Sequence, residues 1–187
     1  MSTPRVVFTQ DMYERILVPT DGSTGVERAI QHAIDLATLH DAELHGVHAV
    51  NSASYGGLPM ETSWDGVRDV LFDEGTAALD RVEELATRAG LDPVTALLEG
   101  SPSRCIVDYA ATENCDLIVM GTHGRGGIDR LLLGSVAERV VRNADAAVLT
   151  VSVSDSASVE ADERRQHPDA DEDAATPTAS TSGDPVD

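Results

Sequence analysis

CDLIVMG, residues 115–121, is an unbroken apolar run that ends on glycine. A strand lacking polar alternation is covered on both faces, so layers must lie above and below it. Four more strand-like segments share the chain with it: RILVPT (15–20), LHGVHAV (44–50), VTALLEG (94–100) and AAVLTVSV (146–153). Helical spacing fills the intervals. From Thr24, the residues Val26, Ala29, Ile30, Ala33, Ile34 and Ala37 recur on one face as far as His40. Val67, Val70, Leu71, Ala78, Val82, Leu85 and Ala86 mark a longer helix stopped by Gly90. SPS at 101–103 reads as a helix start, with Ser101 as cap and Pro102 in the first turn. Ser135 to Asn143 gives a last helix, and 51–64 has loop composition. Five strands alternating with four helices predict a doubly wound, mostly parallel α/β sheet with helices on both faces.

In such a sheet, ligands bind beyond the carboxyl ends of the strands, where the strand order reverses. The first strand ends in PTDGS (19–23) and the fourth in MGTHG (120–124). If these strands are neighbours, their loops face one another across that crevice.

Net charge is −20, and all thirteen basic residues are arginine. A surface this acidic repels polyanions, so nucleic-acid binding is not expected. The lysine-free composition resembles that of proteins from salt-loving organisms, a mesophilic acidic protein being the alternative. Residues 154–187 hold ten acidic side chains and almost no large apolar ones. That stretch is expected to be a disordered acidic tail, because it cannot bury enough surface to offset its ordering entropy. Residues 1–11 read as a loosely held arm, leaving 12–153 as one domain. Cys105 and Cys115 fit neither a disulfide framework nor a zinc pattern. MSTPRVVFTQDMYERI lacks the apolar core of a signal peptide, and no run approaches a membrane span. The expectation is a soluble cytoplasmic protein without membrane or nucleic-acid partners.

GTHGRGGIDRLLLGS (121–135) crowds glycine between the fourth strand and the last helix. Its spacing is Gly121, two residues, Gly124, nine residues, Gly134, then Ser135. This pattern, directly after DLIVMG, resembles the nucleotide-binding type of the universal stress protein family. RILVPTDGS, EGSPSRCIVDYA and GSVAERVVRNADAAVLTV agree with the same family, so the resemblance spans roughly residues 13–153. It implies a Rossmann-like, five-stranded parallel sheet of order 3-2-1-4-5 and a bound ATP, with Mg²⁺ held mainly by the phosphates. It places Pro19, Thr20, Asp21, Val50, Met120, Gly121, Gly124, Arg125, Gly134, Ser135 and Val136 around the nucleotide. Thr20 and the backbone near Val50 would flank adenine and Met120 would pack on it. In one departure, Ala147 stands where the family often has proline before the last strand.

Physical roles follow for a phosphate cradle without lysine. Gly121 and Gly124 let backbone N–H groups approach the ligand with no Cβ in the way. Gly134 and Ser135 open a helix whose first N–H groups lack intrahelical partners and carry the positive dipole end. Ser135 adds a hydroxyl and Val136 another early amide. Residues 121–142 carry four arginines against two carboxylates, a net of +2 within an acidic chain. Arg125 is the candidate for direct phosphate contact, whereas Arg139 and Arg142 suit surface pairing. Asp21 either accepts hydrogen bonds from ribose hydroxyls, helps hold Mg²⁺, or caps the first helix.

The six histidines do not suggest a metal site. His45 and His48 are three apart on one strand and so point to opposite faces. His32 and His40 lie on the first helix, and His123 alone sits in the glycine loop. In AAVLTVSV, Leu149, Val151 and Val153 alternate with Val148, Thr150 and Ser152, as suits an edge strand. An open edge is a pairing template, and the resemblance implies a homodimer through 146–153. A monomer whose tail shields the edge is the other reading.

The leading functional expectation is an ATP-binding homodimeric stress regulator with unidentified regulatory protein partners. Hydrolysis is expected to be slow at most, because His123 and Asp21 are the only titratable side chains near the motif and neither has an evident orienting partner. The alternatives are an enzyme of related architecture (adenylyl transfer or flavin electron transfer) and a nucleotide-free interaction module. A Walker-type NTPase is excluded, since its motif requires lysine.

Overall fold

The computed structural model describes residues 12–51, 64–122 and 133–152. The expected arm at 1–11, the tail at 154–187, and His123, Gly124 and Arg125 of the glycine loop lie outside them. Five strands form one parallel sheet: β1 (Arg15–Pro19), β2 (Glu43–Val50), β3 (Val94–Glu99), β4 (Leu117–Gly121) and β5 (Ala147–Val151). The spatial order is β3-β2-β1-β4-β5. The helices are α1 (Glu27–His40), α2 (Trp64–Arg88), α3 (Pro102–Thr112) and α4 (Ser135–Asn143).

Strand parity divides the core into two layers. Ile16 and Val18 of β1, Leu44 of β2, and Leu117 and Val119 of β4 pack beneath α1 and α2, where Ile30, Ile34 and Val82 meet them. Leu17, Val47, Ile118 and Met120 point the other way, against Ile106 and Ala110 of α3 and Ala137 and Val140 of α4. Every residue of β4 is buried, as both-face coverage requires. Gly46 lets α2 settle close to β2: a Cβ there would come within 3.0 Å of Val82 Cγ1.

Most expected boundaries shift for local reasons. A 3₁₀ turn at Thr24–Val26 precedes α1, closed by Val26 N–H donating to the Ser23 carbonyl at 3.2 Å. The third strand stops at Glu99 because Gly100 adopts φ +142°, a region where a side chain is strained. Gly90, at φ +85°, terminates α2, its amide bonding to the Thr87 carbonyl. Ser101 sits at the α3 N-cap and Pro102 in the first turn, but the Ser101 side chain makes no capping bond. Cys115 and Asp116 precede β4 rather than belonging to it. Asp116 Oδ2 accepts the Glu14 amide at 2.7 Å, and Cys115 N–H donates to the Ala110 carbonyl at 2.8 Å. The last strand spans Ala147–Val151, shorter than expected from 146–153.

Candidate functional site

β1 and β4 are adjacent parallel strands, so the strand order reverses between them. Helices following parallel strands begin at the carboxyl edge, which brings several helix N-termini to one side of the sheet. At that edge a cavity of about 520 Å³ opens, within the range of small-molecule sites.

Its first wall is the turn after β1. Thr20 N–H donates to the Val47 carbonyl at 2.9 Å, tying the turn to β2. Thr20 Oγ1 accepts the Gly22 amide at 3.2 Å, and Gly22 takes φ +73°, which glycine adopts at little cost. Asp21 Oδ1 accepts both the backbone N–H of Ser23 at 3.0 Å and its hydroxyl at 2.6 Å.

The second wall is built from the two ends of the glycine segment. Thr122 N–H donates to the Val151 carbonyl at 2.9 Å, and Gly134 N–H donates to the Thr122 carbonyl at 2.7 Å. These bonds seat the start of α4 beside the end of β4. Gly134 is the N-cap, without a side-chain cap, and the first intrahelical bond runs from Glu138 N–H to the Gly134 carbonyl at 2.8 Å. The amides of Ser135, Val136 and Ala137 therefore have no acceptor within the helix, and all three residues line the cavity. They carry the positive end of the α4 dipole. Gly134 contributes conformation rather than a donor, because its own amide is committed to Thr122.

Of the residues singled out in the sequence, Pro19, Thr20, Asp21, Met120, Gly121, Gly134, Ser135 and Val136 all border this cavity. Val50 does not. It is buried, and its carbonyl accepts the Gly100 amide at 2.9 Å; β2 lines the cavity instead with Val47, His48 and Ala49. The sequence reading missed Pro102 and Ile106, which close the apolar side from α3. Their i, i+4 spacing just after the third strand was the available signal, since the crossover places α3 on the same sheet face as α4. Arg142 pairs with Glu138 at 2.6 Å, the surface role expected for it, while Arg139 is exposed.

The histidines of β2 diverge as their parity requires. His48 packs against α2, where a Cβ on Gly75 would lie 2.8 Å from its ring. His45 turns to the other face at the amino edge of the sheet. Its Nδ1 lies 3.0 Å from the Tyr109 hydroxyl of α3, and its Nε2 lies 3.3 Å from Glu43 Oε2. Arg15 and then His45 hold the Glu43 carboxyl below its ordinary range. Burial pushes the Tyr109 hydroxyl up to about 12 and the Cys115 thiol up to about 11. These perturbed groups sit at the edge opposite the cavity and join β1, β2 and α3.

A parallel doubly wound sheet with a cavity at its order reversal, walled by a glycine turn and open helix amides, defines an α/β protein with a switch-point ligand crevice. The sequence model of the universal stress protein family matches residues 12–152. The chain is 44% identical over 142 residues to universal stress protein MJ0531 of Methanocaldococcus jannaschii, covering 76% of this chain and 84% of that one. Its fold is similar to that of the hypothetical protein MJ0577, with TM-score 0.69 and 29% identity over 78% of this chain and 99% of the other. It is also similar to a universal stress protein solved in complex with cAMP, with TM-score 0.56 and 29% identity over 76% and 98% of the two chains. The chain belongs to the universal stress protein family. No described helix is long and apolar enough to cross a membrane.

Proposed function

We propose that this chain binds ATP in the carboxyl-edge cavity and acts as a homodimeric cytoplasmic regulator in stress response, its nucleotide state altering its interactions with partner proteins. The observation that carries the reading is the start of α4. Three residues whose amides lack helical acceptors line a cavity that Ile106 and Met120 also border, a combination of donors and apolar surface suited to phosphate and base. The similar protein solved with cAMP supports a nucleotide as the ligand class. Mg²⁺ is held mainly by the phosphates, with Asp21 the carboxylate among the described lining residues. Hydrolysis is slow. Asp21 is tied to Ser23, and His48 packs its ring against Gly75, so neither stands as a base beside a reacting water.

The dimer forms through β5. This strand is a sheet edge, and its Ala147 and Leu149 are exposed. An acidic, lysine-free surface suits a cytoplasm of high salt, where self-repulsion is screened. The test is nucleotide content and affinity. Protein purified in molar KCl is denatured and its supernatant analysed by mass spectrometry, followed by calorimetric titration with Mg-ATP on wild type and Gly124→Val. ATP bound by wild type and lost in the variant supports the cradle. Absence of binding in wild type overturns it.

A further inference from the structure

His45 and Tyr109 do not border the cavity, yet they fasten the seam between β2 and α3, two elements that do. We infer that His45 and Tyr109 are positioning residues: their contact fixes α3 on β2 and so holds Ile106 where the base of the nucleotide packs. The inference rests on the nucleotide reading of this cavity.

The seam follows from parity. His45, Val47 and Ala49 alternate onto one face of β2, the face that α3 covers. On α3, Ile106 and Tyr109 are three residues apart and share a side of the helix, with Ile106 roughly 4.5 Å nearer the cavity along the axis. Val47 and Ile106 are buried in the same cluster, and both border the cavity. The seam is therefore apolar at its open end and polar at its closed end, where the Tyr109 hydroxyl lies 3.0 Å from His45 Nδ1.

Apolar side chains slide past one another at little cost, whereas a hydrogen bond weakens steeply away from its distance and angle. His45 is itself held in place. Its Nε2 lies 3.3 Å from Glu43 Oε2, and the same oxygen accepts Arg15 Nε–H at 3.1 Å. A carboxylate facing Nε2 sets the ring proton there and leaves Nδ1 to accept the Tyr109 hydroxyl. Arg15 also donates to the Glu113 carbonyl beyond the end of α3 at 3.2 Å, but that bond is open to water. The His45 side chain is 4% exposed, so the Tyr109 bond is the sheltered one. Without the hydroxyl, α3 populates positions in which the Ile106 wall no longer fits the base, and apparent affinity falls with the fraction that fits.

The experiment titrates the full chain with Mg-ATP by calorimetry, at a temperature where circular dichroism shows each variant folded. Tyr109→Phe is expected to weaken ATP by about two- to fivefold, the upper limit being the equilibrium factor of one net hydrogen bond. His45→Asn, which sets an amide near the place of Nδ1, is expected to bind ATP more tightly than His45→Leu does. Ile34→Val thins the opposite core layer and is expected to leave ATP affinity unchanged, which separates positioning from lost stability. Wild-type affinity in Tyr109→Phe, equal weakening by Ile34→Val, or His45→Asn no better than His45→Leu overturns the positioning role while leaving the nucleotide site intact. Wild-type protein that binds no ATP overturns the underlying reading, and the inference with it.

Discussion

Replacing Tyr109 by phenylalanine removes one oxygen from a contact that ties α3 to β2. The hydroxyl lies 3.0 Å from Nδ1 of His45, whose side chain is only 4% exposed and so has no water to turn to. The rings meet edge to face with centroids 5.8 Å apart, a packing that phenylalanine preserves. The loss is thus confined to the hydrogen bond and the stranded nitrogen, which together cost about 1–3 kcal/mol. His45→Leu removes the partner of the half-buried hydroxyl and also the 3.3 Å contact of Nε2 with Glu43, so it should lose at least as much. The double variant removes both polar groups and should lose about 1–2 kcal/mol less than the sum of the two. Urea unfolding followed by far-UV circular dichroism measures this, with the slope unchanged across the set. A Tyr109→Phe variant within about 0.3 kcal/mol of wild type, or strict additivity of the pair, would refute the account.

Three further expectations test other parts of the molecule. Ser135→Glu sets a carboxylate in the first turn of α4, where the dipole favours it by about 0.3–1 kcal/mol; repulsion of a phosphate about 5 Å away is on the order of 3 kcal/mol at an effective dielectric of 20. Mg-ATP affinity should therefore fall at least about tenfold with the melting temperature kept or raised, and unchanged affinity would remove α4 from the site. Leu149→Asp, at an exposed position of the edge strand, should convert a dimer to a monomer by light scattering without loss of helix signal, and persistence of the dimer mass would place the interface elsewhere. Alkaline pH should destabilise the protein from about 9 upward. The buried Cys115 thiol keeps its proton to about 11, whereas the unfolded thiol loses it near 9, so in that window the unfolded state binds fewer protons and stability falls as pH rises. Cys115→Ala should flatten that part of the pH–stability curve as followed by urea midpoints, and an unaltered curve would assign the decline to other groups.

Features that local physics decides are legible along the chain. Apolar period separates DLIVMG, read as a strand with both faces covered, from the helix that carries Ala29, Ile30, Ala33 and Ile34, because pleat and helix impose different repeats on the same requirement for burial. Glycine and serine at 121, 134 and 135 mark where backbone comes to the cavity wall, through a missing Cβ and an open helix start. Pairing of β1 with β4 followed as a condition, and the register of Ile16 with Leu117 meets it.

Other features depend on residues far apart in the chain. Pro102 and Ile106 reach the cavity because the crossover from β3 carries α3 to the face opposite α1 and α2. Val50 is buried, and its carbonyl accepts the amide of Gly100, fifty residues away. His45 meets Tyr109 across 64 residues and so forms a clasp between β2 and α3. Whether a carboxylate caps a helix or is held out toward a cavity depends on the left-handed turn at Gly22 and on the neighbours that fix it.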